Sequence, residues 1–170
     1  MTDAAPHADG YRIVQIGYVV ADLESTMHAY HEKFGWGPWR IFTLAPPAHN
    51  GVTLHGVPVT SSLKIAIADA GGIDIELIQP LDGPSQHAEF LERHGPGINH
   101  ILVRSYADGH ELTIDPSAFG LPDLMSGNNG PALSYSYLDG RDELATVIEI
   151  ARGSNASQGI LPDAIYPATD

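Results

Sequence analysis

The chain has 170 residues, 43% of them hydrophobic, enough for a core in one compact domain or two small fused modules. With 21 acidic against 8 basic residues it carries a formal charge of −13, which speaks against a nucleic-acid backbone or an anionic membrane surface as partner. It contains no cysteine, so disulfides, thiolate nucleophiles and Cys-ligated metals are excluded.

Residues 1–10 read as a disordered lead-in without the basic and apolar regions of a signal peptide, and no run reaches membrane-spanning length, so a cytoplasmic location is expected. Tyr11 to Val20 predicts a strand. Asp22 caps a helix running to about Phe34, with Leu23, Met27, Tyr30 and Phe34 at helical spacing and Gly35 suited to the left-handed position after it. Gly37-Pro38 turns the chain into a strand, Trp39 to Leu44; the two tryptophans beside this turn suit packing at a rim. Ala45 to Ser62 holds three prolines, two glycines, His49 and His55, and reads as a long loop or loose hairpin of the kind that forms lids. Leu63–Asp69 and Ile73–Gln79 form a hairpin around Ala70-Gly71-Gly72. Ser85 to His94 is a short helix, closed by Gly95-Pro96-Gly97.

The order then begins again. Ile98 to Arg104 is a strand, Ser105 to Pro131 is irregular with a brief helix at Asp115-Pro116, and Leu133–Leu138 and Leu144–Ala151 are closing strands. The chain thus divides into a first module over 11–80, a connector helix over 81–97, a second module with a degraded helix over 98–151, and a tail over 152–170. The class is α+β.

Four residues with ligand chemistry sit inside apolar runs: Gln15, Glu76, His100 and Glu149. A carboxylate or imidazole in the middle of a core-like strand is costly to bury. Two such pairs, one in each half, suggest a shared polar centre, and a divalent cation supplies the charge that makes the burial tolerable. Strand alternation puts Ile13, Gln15, Gly17 and Val19 on one face and Val147, Glu149 and Ala151 on another. His28 and His31 read as surface residues, while His49, His55 and His110 are loop histidines within reach of such a centre.

The phrases Gln15-Ile16-Gly17-Tyr18-Val19-Val20-Ala21-Asp22-Leu23, Phe34-Gly35, Ile75-Glu76-Leu77-Ile78-Gln79-Pro80, Gly97-Ile98-Asn99-His100-Ile101 and Val147-Ile148-Glu149-Ile150, in this order, resemble the vicinal oxygen chelate superfamily, in particular its glyoxalase I and methylmalonyl-CoA epimerase branch. The resemblance covers roughly residues 11–151 and implies two βαβββ modules forming a cupped mixed sheet with outer helices. It implies Gln15, Glu76, His100 and Glu149 as ligands of one divalent metal ion, with zinc foremost and manganese, cobalt, nickel or magnesium compatible with the donors. It implies a homodimer, a small-molecule substrate with two adjacent oxygens, and Glu149 and Glu76 serving as both ligand and base. Lys64 falls where the epimerases carry a second glutamate base, and is expected to face the substrate as a clamp or base.

The glutathione-binding positions of glyoxalase I are replaced here by Val19, Pro80 and Pro96, so the resemblance favours an isomerase or epimerase over lactoylglutathione lyase. The reaction expected is proton abstraction next to a carbonyl through a metal-stabilised enolate. The alternatives are a lyase using the same enolate for β-elimination, or a non-catalytic protein that sequesters a small molecule such as an antibiotic. A ring-cleaving dioxygenase usually needs two histidines and one carboxylate, and one histidine maps here.

Overall fold

The computed structural model describes residues 10–131, 133–153 and 161–168. The first half contains β1 (Gly10–Val19), α1 (Leu23–Phe34), β2 (Trp39–Leu44), β3 (His49–Leu54), β4 (Val57–Pro58), β5 (Ser62–Asp69) and β6 (Asp74–Asp82). After α2 (Gln86–His94) come β7 (Gly97–Ala107), β8 (His110–Leu112), a single 3-10 turn (Pro116–Phe119), β9 (Asp123–Asn129) and β10 (Leu133–Gly140). The short α3 (Arg141–Leu144), β11 (Thr146–Gly153) and β12 (Ala164–Tyr166) complete the described chain.

All twelve strands belong to one sheet, in the order β12-β2-β5-β6-β1-β7-β11-β10-β9-β3-β4, with β8 attached to β7. Within it the run β2-β5-β6-β1 is repeated by β9-β10-β11-β7. The first strand of each half lies parallel to the last strand of the same half, and β1 and β7 pair antiparallel at the junction. The α+β architecture of two repeated halves is therefore the one expected from sequence, and the sheet curls round a central cup.

Local signals account for the first half. Asp22 accepts from the Ser25 N–H at the start of α1, and Gly35 closes the helix in the left-handed region at φ 71°. Leu23 and Met27 of α1 bury against Trp39, Ile41, Ala66, Ala68, Ile75 and Leu77 on the outer face of the sheet. Both tryptophans belong to this outer layer, not to the rim of the cup: Trp39 is fully buried there, and Trp36 stacks on Tyr30 at 5.3 Å. Phe34, at the expected apolar spacing, remains 60% exposed and leans on Trp36. The outer face of the second half is covered without a long helix, by Ile114, Phe119 and Leu121 against Leu138, Ile148 and Ile150.

Four expectations are corrected. Gly10, assigned to the lead-in, already belongs to β1; residues 1–9 lie outside the described residues. The segment 45–62 takes the hairpin form of its two expected readings, β3 pairing with β4, but it is no separate loop: β3 also pairs with β9 and extends the sheet of the second half. Strand β9 itself lies inside the segment expected to be irregular. The tail over 152–170 contains the end of β11 and, beyond residues 154–160, which are not described, β12; the latter pairs with the edge strand β2, and its Tyr166 stacks on His28 at 4.1 Å. No helix among the described residues is long and apolar enough to cross a membrane.

Candidate metal centre

The site lies where the two halves meet. On β6, pairing with β5 sets Ile67 opposite Glu76 and Ile65 opposite Ile78, so these four share the cup face, while Ile75 and Leu77 pack under α1. A register shift between Ile13 and Gln15 on β1 breaks the expected alternation: Val14 and Gln15 both line the cup, and Ile13 is left 48% exposed. Beyond that bulge Gln15 and Gly17 are buried while Ile16 and Tyr18 join the α1 layer. In the second half, Tyr137 pairs with Glu149 and Tyr135 with Ala151, and all four line the cavity.

Glu76, His100 and Glu149 converge there, their ligating atoms all within 4.8 Å of one another. His100 Nε2 lies 3.0 Å from Glu149 Oε2 and 3.4 Å from Glu76 Oε2. These are ion-pair distances without hydrogen-bond angles, and Nε2 and both Oε2 atoms are buried with no hydrogen-bond partner. Buried polar atoms are normally satisfied, so three adjacent unsatisfied ones mark a place built for something else. Gln15, 8% exposed, lines the same cavity.

The position of His100 is fixed from two sides. Gly17 faces it across the β1–β7 pair, and a Cβ at Gly17 would stand 1.9 Å from the ring, so only glycine leaves room for the imidazole. Behind the ring, Asn99 and Gln86 exchange two amide hydrogen bonds of 2.9 and 3.1 Å, and His100 Nδ1 donates to the same Asn99 Oδ1 at 3.1 Å. A donating Nδ1 leaves the Nε2 lone pair directed at the carboxylates, the arrangement common behind metal-bound histidines. Gln86 comes from the first turn of α2, whose Ser85 cap, Gln86 and His87 are all buried. Sequence reasoning treated this helix as a connector only, and no signal in its residues marks the buried turn.

Electrostatics agree with the geometry. Burial raises the Glu76 carboxyl above the usual carboxylate range, and the neighbouring Glu149 charge adds to this against the opposing effect of His100. For His100, burial favours the neutral ring, but the two carboxylates outweigh it and hold the imidazolium up to about 9. Without a cation, a proton on His100 is thus the charge that compensates two buried acids. The donor set of two carboxylates, one imidazole and a nearby amide fits a divalent ion of hard to borderline character.

Lys64 is not part of this site. It pairs with Gln79 on the outer face of the sheet, and its Nζ donates to Glu24 of α1 at 2.8 Å. Its neighbours Leu63 and Ile65 take the cup face instead, so β5 contributes an apolar wall and no second base. Of the loop histidines expected within reach of the centre, His49 reaches the cup: it is buried on β3 and hydrogen-bonded at 2.7 Å to Tyr135 of β10. His55 is exposed beside Glu89, and His110 is exposed on β8.

A sheet cupped from two repeated halves around a buried Glu–His–Glu cluster defines a vicinal oxygen chelate protein. The chain belongs to the Glyoxalase/Bleomycin resistance protein/Dioxygenase superfamily, whose sequence profile matches residues 14–107. Among solved structures it is similar to methylmalonyl-CoA epimerase from Mycobacterium tuberculosis, with 20% identity over 89% of this chain and 93% of that one and a TM-score of 0.55. It is also similar to a variant of 4-hydroxymandelate synthase from Streptomyces coelicolor, with 15% identity over 95% of this chain and 43% of that one and a TM-score of 0.55. At these identities the likeness is one of fold. No curated protein sequence matches the chain.

Proposed function

We propose that the protein is a metal-dependent isomerase or epimerase that moves a proton at a carbon next to a carbonyl of a small oxygenated substrate. The observation that carries this reading is the convergence of three buried, unpartnered ligating atoms from Glu76, His100 and Glu149 at the base of a cavity of about 240 Å³. Glu76, His100 and Glu149, with Gln15, would hold the ion. When bound there, a divalent cation supplies Lewis acidity to two adjacent substrate oxygens and stabilises an enolate.

The chain's own residues supply the remaining functions. Glu149 and Glu76 are the carboxylates of this cluster available to take and return the α-proton. The wall of Leu44, Leu63, Ile65 and Ile78 excludes water from the side opposite Tyr135 and Tyr137. Zinc is the ion that best suits the mixed nitrogen and oxygen donors, and the methylmalonyl-CoA epimerase likeness supports a proton transfer without net redox change. The same proposal carries a homodimer in a reducing cytoplasm, the first from the family resemblance and the second from a chain without cysteine.

The test is metal analysis of protein purified without added metal, followed by solvent-deuterium exchange on hydroxy-ketones and acyl thioesters. One bound divalent ion per chain and exchange at an α-carbon are expected, with Glu149→Gln slowing the exchange by about 10²–10⁴-fold. Metal binding without exchange on any enolisable compound would favour a small-molecule binder; no affinity for a divalent ion would overturn the metal centre itself.

A further inference from the structure

The cup contains a second polar feature that ligation does not use. His49 is 2% exposed, and its Nδ1 lies 2.9 Å from the Ser61 carbonyl oxygen, which can only accept; Nδ1 therefore carries the proton. Burial holds the His49 imidazole below its ordinary pKa, hence neutral. Its Nε2 then has a lone pair, and the Tyr135 hydroxyl 2.7 Å away donates into it. The tyrosine proton is committed, and what the oxygen retains is acceptor capacity.

The placement is specific. Gly127 makes room for the tyrosine, since a Cβ there would stand 2.6 Å from the hydroxyl. This repeats, at the other end of the cup, what Gly17 does for His100. Rings connect the two ends: His100 to Tyr137 at 5.0 Å, Tyr137 to Tyr135 at 5.5 Å, and Tyr135 to His49 at 5.9 Å. Tyr135 is two residues before Tyr137, the partner of Glu149, which sets it about 7 Å along the strand from the ligand cluster. Both His49 and Tyr135 line the cavity, opposite the wall of Leu63 and Ile65.

We infer that Tyr135, held by His49, is a second recognition point of the cup, accepting a hydrogen bond from a hydroxyl or amide N–H that the substrate carries at the end away from its chelating oxygens. The inference rests on reading the Glu–His–Glu cluster as the chelating end. The substrate class is then a small molecule with two adjacent oxygens, an apolar or aromatic middle, and a donor at the far end. In this arrangement Tyr135 sets specificity and His49 is a positioning residue that fixes which partner gives the proton.

The experiment uses the full chain loaded with zinc and two probes that chelate through adjacent oxygens, benzohydroxamate and 4-hydroxybenzohydroxamate, with affinities measured by calorimetry with and without the metal. Wild type should prefer the hydroxylated probe by about tenfold, the scale of one buried hydrogen bond. Tyr135→Phe should erase that preference and leave benzohydroxamate affinity unchanged, with its thermal midpoint reporting intact folding. His49→Leu should release the tyrosine proton and favour 4-methoxybenzohydroxamate, which can only accept. Equal affinities of wild type for the first two probes, or an equal loss of both in Tyr135→Phe, would overturn the role of Tyr135 while leaving chelation standing. Binding that does not depend on zinc would overturn the chelating end and this inference with it.

Discussion

His100 is the residue on which the centre turns, and its setting makes two predictions. Gly17→Ala would place a methyl group against the imidazole. It should destabilise the metal-free protein by about 1–3 kcal/mol, the usual scale of overpacking, and weaken zinc binding more than thermal stability; melting curves and a zinc titration check both. The second concerns pH. The His100 pKa in the metal-free fold is raised from 6.5 to about 9, so its protonated form stabilises the fold fully below pH 6.5, and that stabilisation is lost as pH rises toward 9. The raised Glu76 pKa has the same sign. The thermal midpoint of metal-free protein should therefore fall between pH 6.5 and 9, and Glu149→Gln should flatten the slope. Zinc uptake in this range should release protons, measurable as a buffer-dependent binding enthalpy. His100 and the carboxylates were legible in the sequence because charged residues interrupt apolar strands. His49 was legible only as a loop histidine within reach of the centre; its strand and its burial were not, because the prolines and glycines around it read as a loop and its burial depends on a strand pairing with β9 far along the chain.

At the scale of elements, the informative object is β5. Its alternation was readable, but the assignment of one face to the cup was taken from a family position and is off by one residue. The hydrophobic side, Leu63, Ile65 and Ile67, turns inward, and Lys64 spans from the sheet to α1. Lys64→Ala should accordingly leave zinc affinity and hydroxamate binding unchanged. Trp39→Ala, by contrast, should cost about 3–5 kcal/mol in unfolding free energy, because the ring fills the layer between α1 and the sheet with no exposed surface. Strand β1, α1, β2 and the β5–β6 hairpin were recovered close to their observed limits, since each is bounded by a cap or turn residue. The brief helix expected at Asp115-Pro116 is a 3-10 turn, Pro116–Phe119, while β9 was not legible, having Gly127 and polar residues in place of a clear strand pattern.

The whole molecule is more interlocked than its repeated order suggests. β3 leaves the first half to pair with β9, and β12 returns from beyond the second half to pair with β2. Neither half closes its own sheet, so unfolding should be one cooperative transition by both circular dichroism and calorimetry, with zinc raising its midpoint; two separable transitions would show independent halves. The repeated order itself was legible, because each half opens on an apolar strand with a polar residue of ligand chemistry in its middle. The exchange of strands between halves was not, since pairing partners distant in sequence leave no local pattern.

The three side chains proposed as ligands belong to β6, β7 and β11, which is the last of the core strands to be synthesised. During translation the nascent polypeptide therefore has no complete chelate until Glu149 has emerged and β11 has docked alongside β7. On the proposed reading ion capture would come late in biogenesis, and cellular zinc is expected to reward a finished fold, not to nucleate one.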